Sequence, residues 1–121
     1  MIDLTTARAI ALSFLGAEEH DHRGHPSFRV KQKIFATMWP QEQRVVLKLP
    51  ISEQSALHML DPAAFAPVSG GWGMQGWTNV SLTLVDESAF HQAVSIAWQQ
   101  IAPKRLLAQF MQAQANQPDK Q

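Results

Sequence analysis

Five cations between positions 29 and 48 are the side chains in this 121-residue chain best able to do chemistry. Arg29, Lys31, Lys33, Arg44 and Lys48 stand there against Glu42 alone, half of the chain's ten basic residues. Guanidinium and ammonium groups on one surface contact phosphate oxygens, so the stretch is a candidate nucleic-acid-binding face. The same residues also suit a solvated sheet face, with lysines guarding against edge-to-edge pairing. Ten acidic residues cancel the ten basic ones, so any affinity for nucleic acid or membrane must come from a local patch. Lys104 and Arg105 form a second, smaller basic pair that can assist.

A second cluster gathers His20, His22 and His25 with Glu18, Glu19 and Asp21. Neutral imidazoles and carboxylates are standard ligands of divalent metals. The segment 16–26, GAEEHDHRGHP, reads as a polar surface loop, however. One flexible segment rarely holds three ligands in fixed geometry, so no metal is expected. Gly71-x-Gly73-x-x-Gly76 spells the dinucleotide fingerprint. That motif works by opening a helix whose N-terminal amides hold a pyrophosphate, and here a strand follows. The glycines read instead as a turn that lets Trp72 and Trp77 pack, and no cofactor is expected. Of the four tryptophans, Trp98 lies on an apolar helical stripe and Trp77 begins a strand. Trp39 and Trp72 are the two placed to contact a ligand or partner, with core packing as the plainer alternative. Cys and Tyr are absent, as are Gly-x-Ser-x-Gly and a helical zinc motif, and His58 and His91 are isolated on helices. No catalytic residue can be named, and an enzyme is not expected.

These side chains need elements to position them. Residues 5–15 have the spacing of an amphipathic helix, capped by Thr5 or Thr6 and stopped by Gly16, with Ala7, Ile10, Ala11, Phe14 and Leu15 on one face. Three short strands follow, Ser27–Lys31, Lys33–Trp39 and Arg44–Leu49, with the alternation of a half-buried sheet. Phe28, Val30, Val45, Leu47 and Leu49 are expected to face the helices, as are Ile34, Ala36 and Met38 or their alternates. Ser52 is expected to cap a helix with Ala56, Leu57 and Leu60 inward, and Phe65–Val68 to form an edge strand limited by Pro67. Trp77–Val85 alternates throughout, with Val80, Leu82 and Leu84 inward. Asp86 caps a helix over 87–101, and Pro103 opens another to about Ala113.

The order α-β-β-β-α-β-β-α predicts a two-layer α+β fold, with one antiparallel sheet and helices on one face. A domain over residues 1–115 and a flexible tail over 116–121 are expected. The absence of cysteine and of any long apolar run implies a cytoplasmic chain without a membrane span, monomeric or weakly dimeric.

The blocks GHPSFRVKQKIFATM, RVVLKLP, GWGMQGWTNVSL and APKRLL, in this order and spacing, resemble the MmcQ/YjbR family of small bacterial proteins from about Gly24 to Leu107. The resemblance implies a secretion-chaperone-like fold, α-β3-α-β2-α, also likened to frataxin. It also implies a DNA-binding label that carries no established catalytic residues. Three function classes follow: DNA binding through the basic sheet face, a protein- or peptide-binding adaptor, and small-molecule binding near Trp39 and Trp72.

Overall fold

The computed structural model describes residues 1–22 and 24–115, the His22 side chain excepted, so the tail expected at 116–121 lies outside the described residues. Helix α1, Leu4–Leu12, starts at Asp3, whose carboxylate accepts the Thr6 amide at 2.7 Å. That bond holds the Asp3 carboxyl below the usual carboxylate range. The expected threonine cap is thus displaced upstream, because the helix begins at Leu4 and Asp3 is placed to accept its Thr6 amide.

Residues 16–26 correct the reading of a loop. Ala17–His22 is a strand, β1, paired antiparallel with β2, His25–Val30. Its acidic residues are poor strand formers, but cross-strand hydrogen bonds to β2 override that weak preference. A two-residue turn containing Lys31, at φ 58°, leads into β3, Lys33–Trp39. Lys31 therefore lies in a turn and not on a strand face. A bulge opposite Phe28 and Arg29 sets Ala36 against Phe28 and Ile34 against Arg29. The extra residue changes the phase: Phe35, Ala36 and Met38 are buried, whereas Ile34, Thr37 and Trp39 turn to the other face.

A short 3-10 turn, Pro40–Glu42, connects to β4, Arg44–Lys48. Helix α2, Ile51–Leu60, then begins on Pro50 without a side-chain cap, so Ser52 does not serve as one. Its inward residue is Gln54; Ala56 is exposed and Leu60 is 82% exposed, against the expected apolar side. The edge strand β5, Phe65–Pro67, comes next, followed by a single turn of helix, α3, Gly71–Met74, and by β6, Trp77–Ser81. β6 ends four residues earlier than predicted, because the amides of Leu84 and Val85 bond back to Ser81, which leaves Leu84 58% exposed. Helix α4, Glu87–Ile101, and helix α5, Lys104–Ala115, complete the chain.

The six strands pair in the order β1-β2-β3-β4-β6-β5, every neighbour antiparallel. On one face α1 packs on β1, α4 on β3 and β4, and α2 on β5. The α4 residues Phe90, Ala93, Val94, Ala97 and Trp98 recur at helical spacing and are all buried, which is why this helix lies flat on the sheet. Trp98 satisfies its indole N–H by donating to the Leu15 carbonyl at 2.9 Å, packed between Phe14 and Phe110. Among the described residues the opposite face of the central strands carries no long helix.

Candidate functional site

Strand alternation places Arg44, Val46 and Lys48 of β4 on this open face, beside Thr37 and Trp39 of β3 and Trp77 and Asn79 of β6. Register sets the neighbours. Trp39 stands opposite Arg44, Thr37 opposite Val46, and Lys48 opposite Trp77. Between them lies a cleft of about 430 Å³, floored by Ile34 and Val46 and walled by Trp39, Trp77, Trp72 and Val68. Volumes of roughly 300–1,000 Å³ with mostly apolar walls and a few placed polar groups are typical of small-ligand sites.

Arg44 is the one ionic side chain lining the cleft, and it is held from three directions. Its Nε donates to Glu42 Oε1 at 2.6 Å, its Nη1 donates to Asn79 Oδ1 at 2.7 Å, and the guanidinium carbon stands 4.6 Å over the Trp39 ring. Trp39 is also stacked by His25 at 3.8 Å, and its indole N–H donates to Thr37 Oγ1 at 3.0 Å. It is a packed wall, half-buried, and not the open platform its strand-end position suggests. Trp72 is the platform: it is 63% exposed and meets Trp77 edge-on at 6.2 Å. Lys48 lies over the other indole, with Nζ 5.6 Å from the Trp77 ring centre, and among the described residues it forms no ion pair. Both contacts fall within the roughly 6 Å reach of cation–π attraction.

The glycine-rich segment aims Trp72. The backbone turns at α3 through bonds from the amides of Met74, Gln75 and Gly76 to the carbonyls of Gly70, Gly71 and Gly73. A side chain at Gly73 would stand 1.8 Å from the Val68 carbonyl oxygen, and one at Gly76 2.0 Å from that of Leu49. The glycines are therefore required for close backbone approach. One helical turn lies within the motif, but it ends at Met74 and β6 follows, so the dinucleotide reading has no helix to use.

The seven cations singled out in the sequence do not form one patch. Arg44 and Lys48 flank the cleft. Arg29 lies on β2, folded down so that its Nη2 donates to Ser27 Oγ at 3.2 Å, with Glu18 opposite it in register. Lys31 lies in the β2–β3 turn and Lys33 begins β3, while Lys104 and Arg105 open α5 in the helical layer. A Cβ on Gly16 would touch both Leu106 at 2.8 Å and Val30 at 3.3 Å, so the chain segments that carry the last two pairs approach each other. Of the histidine–acid cluster, Glu19 pairs with Arg8 at 2.5 Å and His20 lies 3.3 Å from Glu18. Among the described residues no three His, Asp or Glu side chains converge as metal ligands, and the His22 side chain lies outside them.

Ile34, Val46, Val68, Trp77 and His25 were not singled out as cleft residues. Val46 carried a readable signal, being an apolar residue in the polar phase of β4 between Arg44 and Lys48. A larger furrow, about 660 Å³, runs between α4 and α5, but its walls are Ser, Gln, His91 and apolar side chains without a fixed charge.

A family model described as YjbR matches residues 12–100. The chain is similar to the crystal structure of Deinococcus radiodurans protein DR2400, which carries a DUF419 family-model domain. The two are 17% identical with a TM-score of 0.74, over 87% of this chain and 82% of that one. At that identity the likeness concerns the fold. No curated protein matches the chain.

Proposed function

This chain belongs to the YjbR family, and we propose that it is a non-enzymatic binding module that takes a flat, largely apolar ligand into its tryptophan-walled cleft. The observation that carries this reading is the convergence of Trp39, Trp72 and Trp77 over an apolar floor on the uncovered sheet face. Indole walls hold planar groups by dispersion and stacking, and burying them removes apolar surface from water. The four indole N–H resonances test it. Planar fragments are expected to shift the signals of Trp72 and Trp77 and leave that of Trp98, which is wholly buried, in place. A fragment set that moves none of them, or moves Trp98 equally, would overturn the reading.

Duplex DNA binding is the second reading, supported by the joining of Lys31 and Lys33 with Lys104 and Arg105 at one end. It departs from the sheet-face version in the residues it uses, since Lys31 lies in a turn and Lys104 and Arg105 belong to α5. Among the described residues no helix is long and apolar enough to cross a membrane. A cytoplasmic location and a monomer or weak dimer accompany this reading, to be checked by fractionation and sedimentation of the full chain.

A further inference from the structure

We infer that the cleft selects a planar aromatic carboxylate and that Arg44 is its anion anchor. This rests on the cleft reading above and adds the charge and chemistry of the occupant. A guanidinium carries five N–H donors in a rigid plane. In Arg44 the described residues use two, Nε to Glu42 and one Nη1 hydrogen to Asn79, which leaves three, including both on Nη2. The side chain lines the cleft and is 26% exposed, so it is open to an occupant there. The Nη1–Nη2 edge of a guanidinium matches the two oxygens of a carboxylate.

Three features suit this edge to recognition. Glu42, Asn79 and Trp39 hold the guanidinium in place before any ligand arrives, so little rotamer freedom remains to be lost on binding. Glu42 offsets one positive charge, but Lys48, over Trp77 and without an ion pair among the described residues, keeps the rim cationic. The remaining walls are three indoles, three aliphatic side chains, His25 and Thr37, a mostly flat and apolar surface that favours a ring behind the charged group. A phosphate would call for a converging nest of backbone amides or a helix N-terminus, and among the described residues a single turn, α3, is the only helical element lining the cleft. A carboxylate needs one fork.

The test uses matched probes on the full chain: naphthalene-2-carboxylate and the neutral naphthalene-2-carboxamide, titrated at low salt and followed by the indole and Arg44 Nε–H resonances. The carboxylate is expected to bind at least about ten-fold more tightly than the amide, as a charge-assisted bond to a desolvated ring system implies. Arg44→Gln is expected to erase that gap, and Arg44→Lys to restore only part of it. Equal binding of the two probes by the unaltered chain overturns the anion anchor and leaves the cleft reading standing. Binding of neither overturns both. A gap that persists in Arg44→Gln, or a preference for adenosine monophosphate or oligothymidylate over the carboxylate, also overturns the inference.

Discussion

Gln54 sets one carboxamide nitrogen against three acceptors: the carbonyls of Gly73 and Trp77 at 3.0 and 3.2 Å, and Thr78 Oγ1 at 3.0 Å. It is buried, and it is the group through which α2 grips both α3 and the start of β6. Both carbonyls keep a backbone donor without it, from Gly76 and Val68, so truncation here acts through the lost tie between α2, α3 and β6. Gln54→Ala is expected to lower unfolding stability by about 1–3 kcal/mol, measured by denaturant titration. The Trp72 resonance should broaden in the same variant, because α3 loses its tie. A variant as stable as the original, with an unchanged Trp72 signal, would show that the amide does not hold the wall. Helical periodicity pointed to Ala56, Leu57 and Leu60 as the inward residues of α2. Leu57 does pack against the core, but Ala56 and Leu60 are exposed and the buried position of the helix is Gln54, which donates to the carbonyls of Gly73 and Trp77.

At the level of elements, α3 is a wall built from backbone. Its position depends on the contact of Gly73 with the Val68 carbonyl, where any Cβ would fall 1.8 Å from oxygen. Gly73→Ala is therefore expected to destabilise the fold by more than about 1 kcal/mol and to reduce fragment binding at the cleft, since relief requires α3 to move. Retained affinity for the same fragments in a folded Gly73→Ala protein would detach α3 from the site. The strand β1 makes a complementary point. Its Glu18, Glu19, His20 and Asp21 sit at the sheet's edge, where charged side chains discourage pairing with another chain. The same composition that reads as a loop serves as edge protection once β2 supplies hydrogen-bond partners.

For the whole molecule, the balance of charge matters less than its distribution. At the Val30–Leu106 end the adjoining chain segments carry four cations, so at most about four phosphates can be neutralised there. Duplex affinity through that end is expected to fall with salt on a log–log slope no steeper than about −4. Lys31→Glu with Lys104→Glu should abolish it, and Lys48→Glu should leave it unchanged. A steeper slope, or loss on changing Arg44 and Lys48 instead, would return the contact to the sheet face.

By itself the sequence determined the two-layer α+β fold and the family. It also determined which residues of β4 and β6 face helices, and the burial of Trp98 on α4. Each of these is written in spacing over a few residues, because side chains alternate along a strand and recur every three or four along a helix. The tertiary structure alone decided that Trp39, Val46 and Trp77, from three strands, share a cleft with Trp72, and that the seven cations part into separate groups. Those outcomes depend on strand order and on the one-residue bulge that turns Ile34 and Thr37 outward. Register between strands is set by the partner strand and the turns, so no local pattern in the chain carries it.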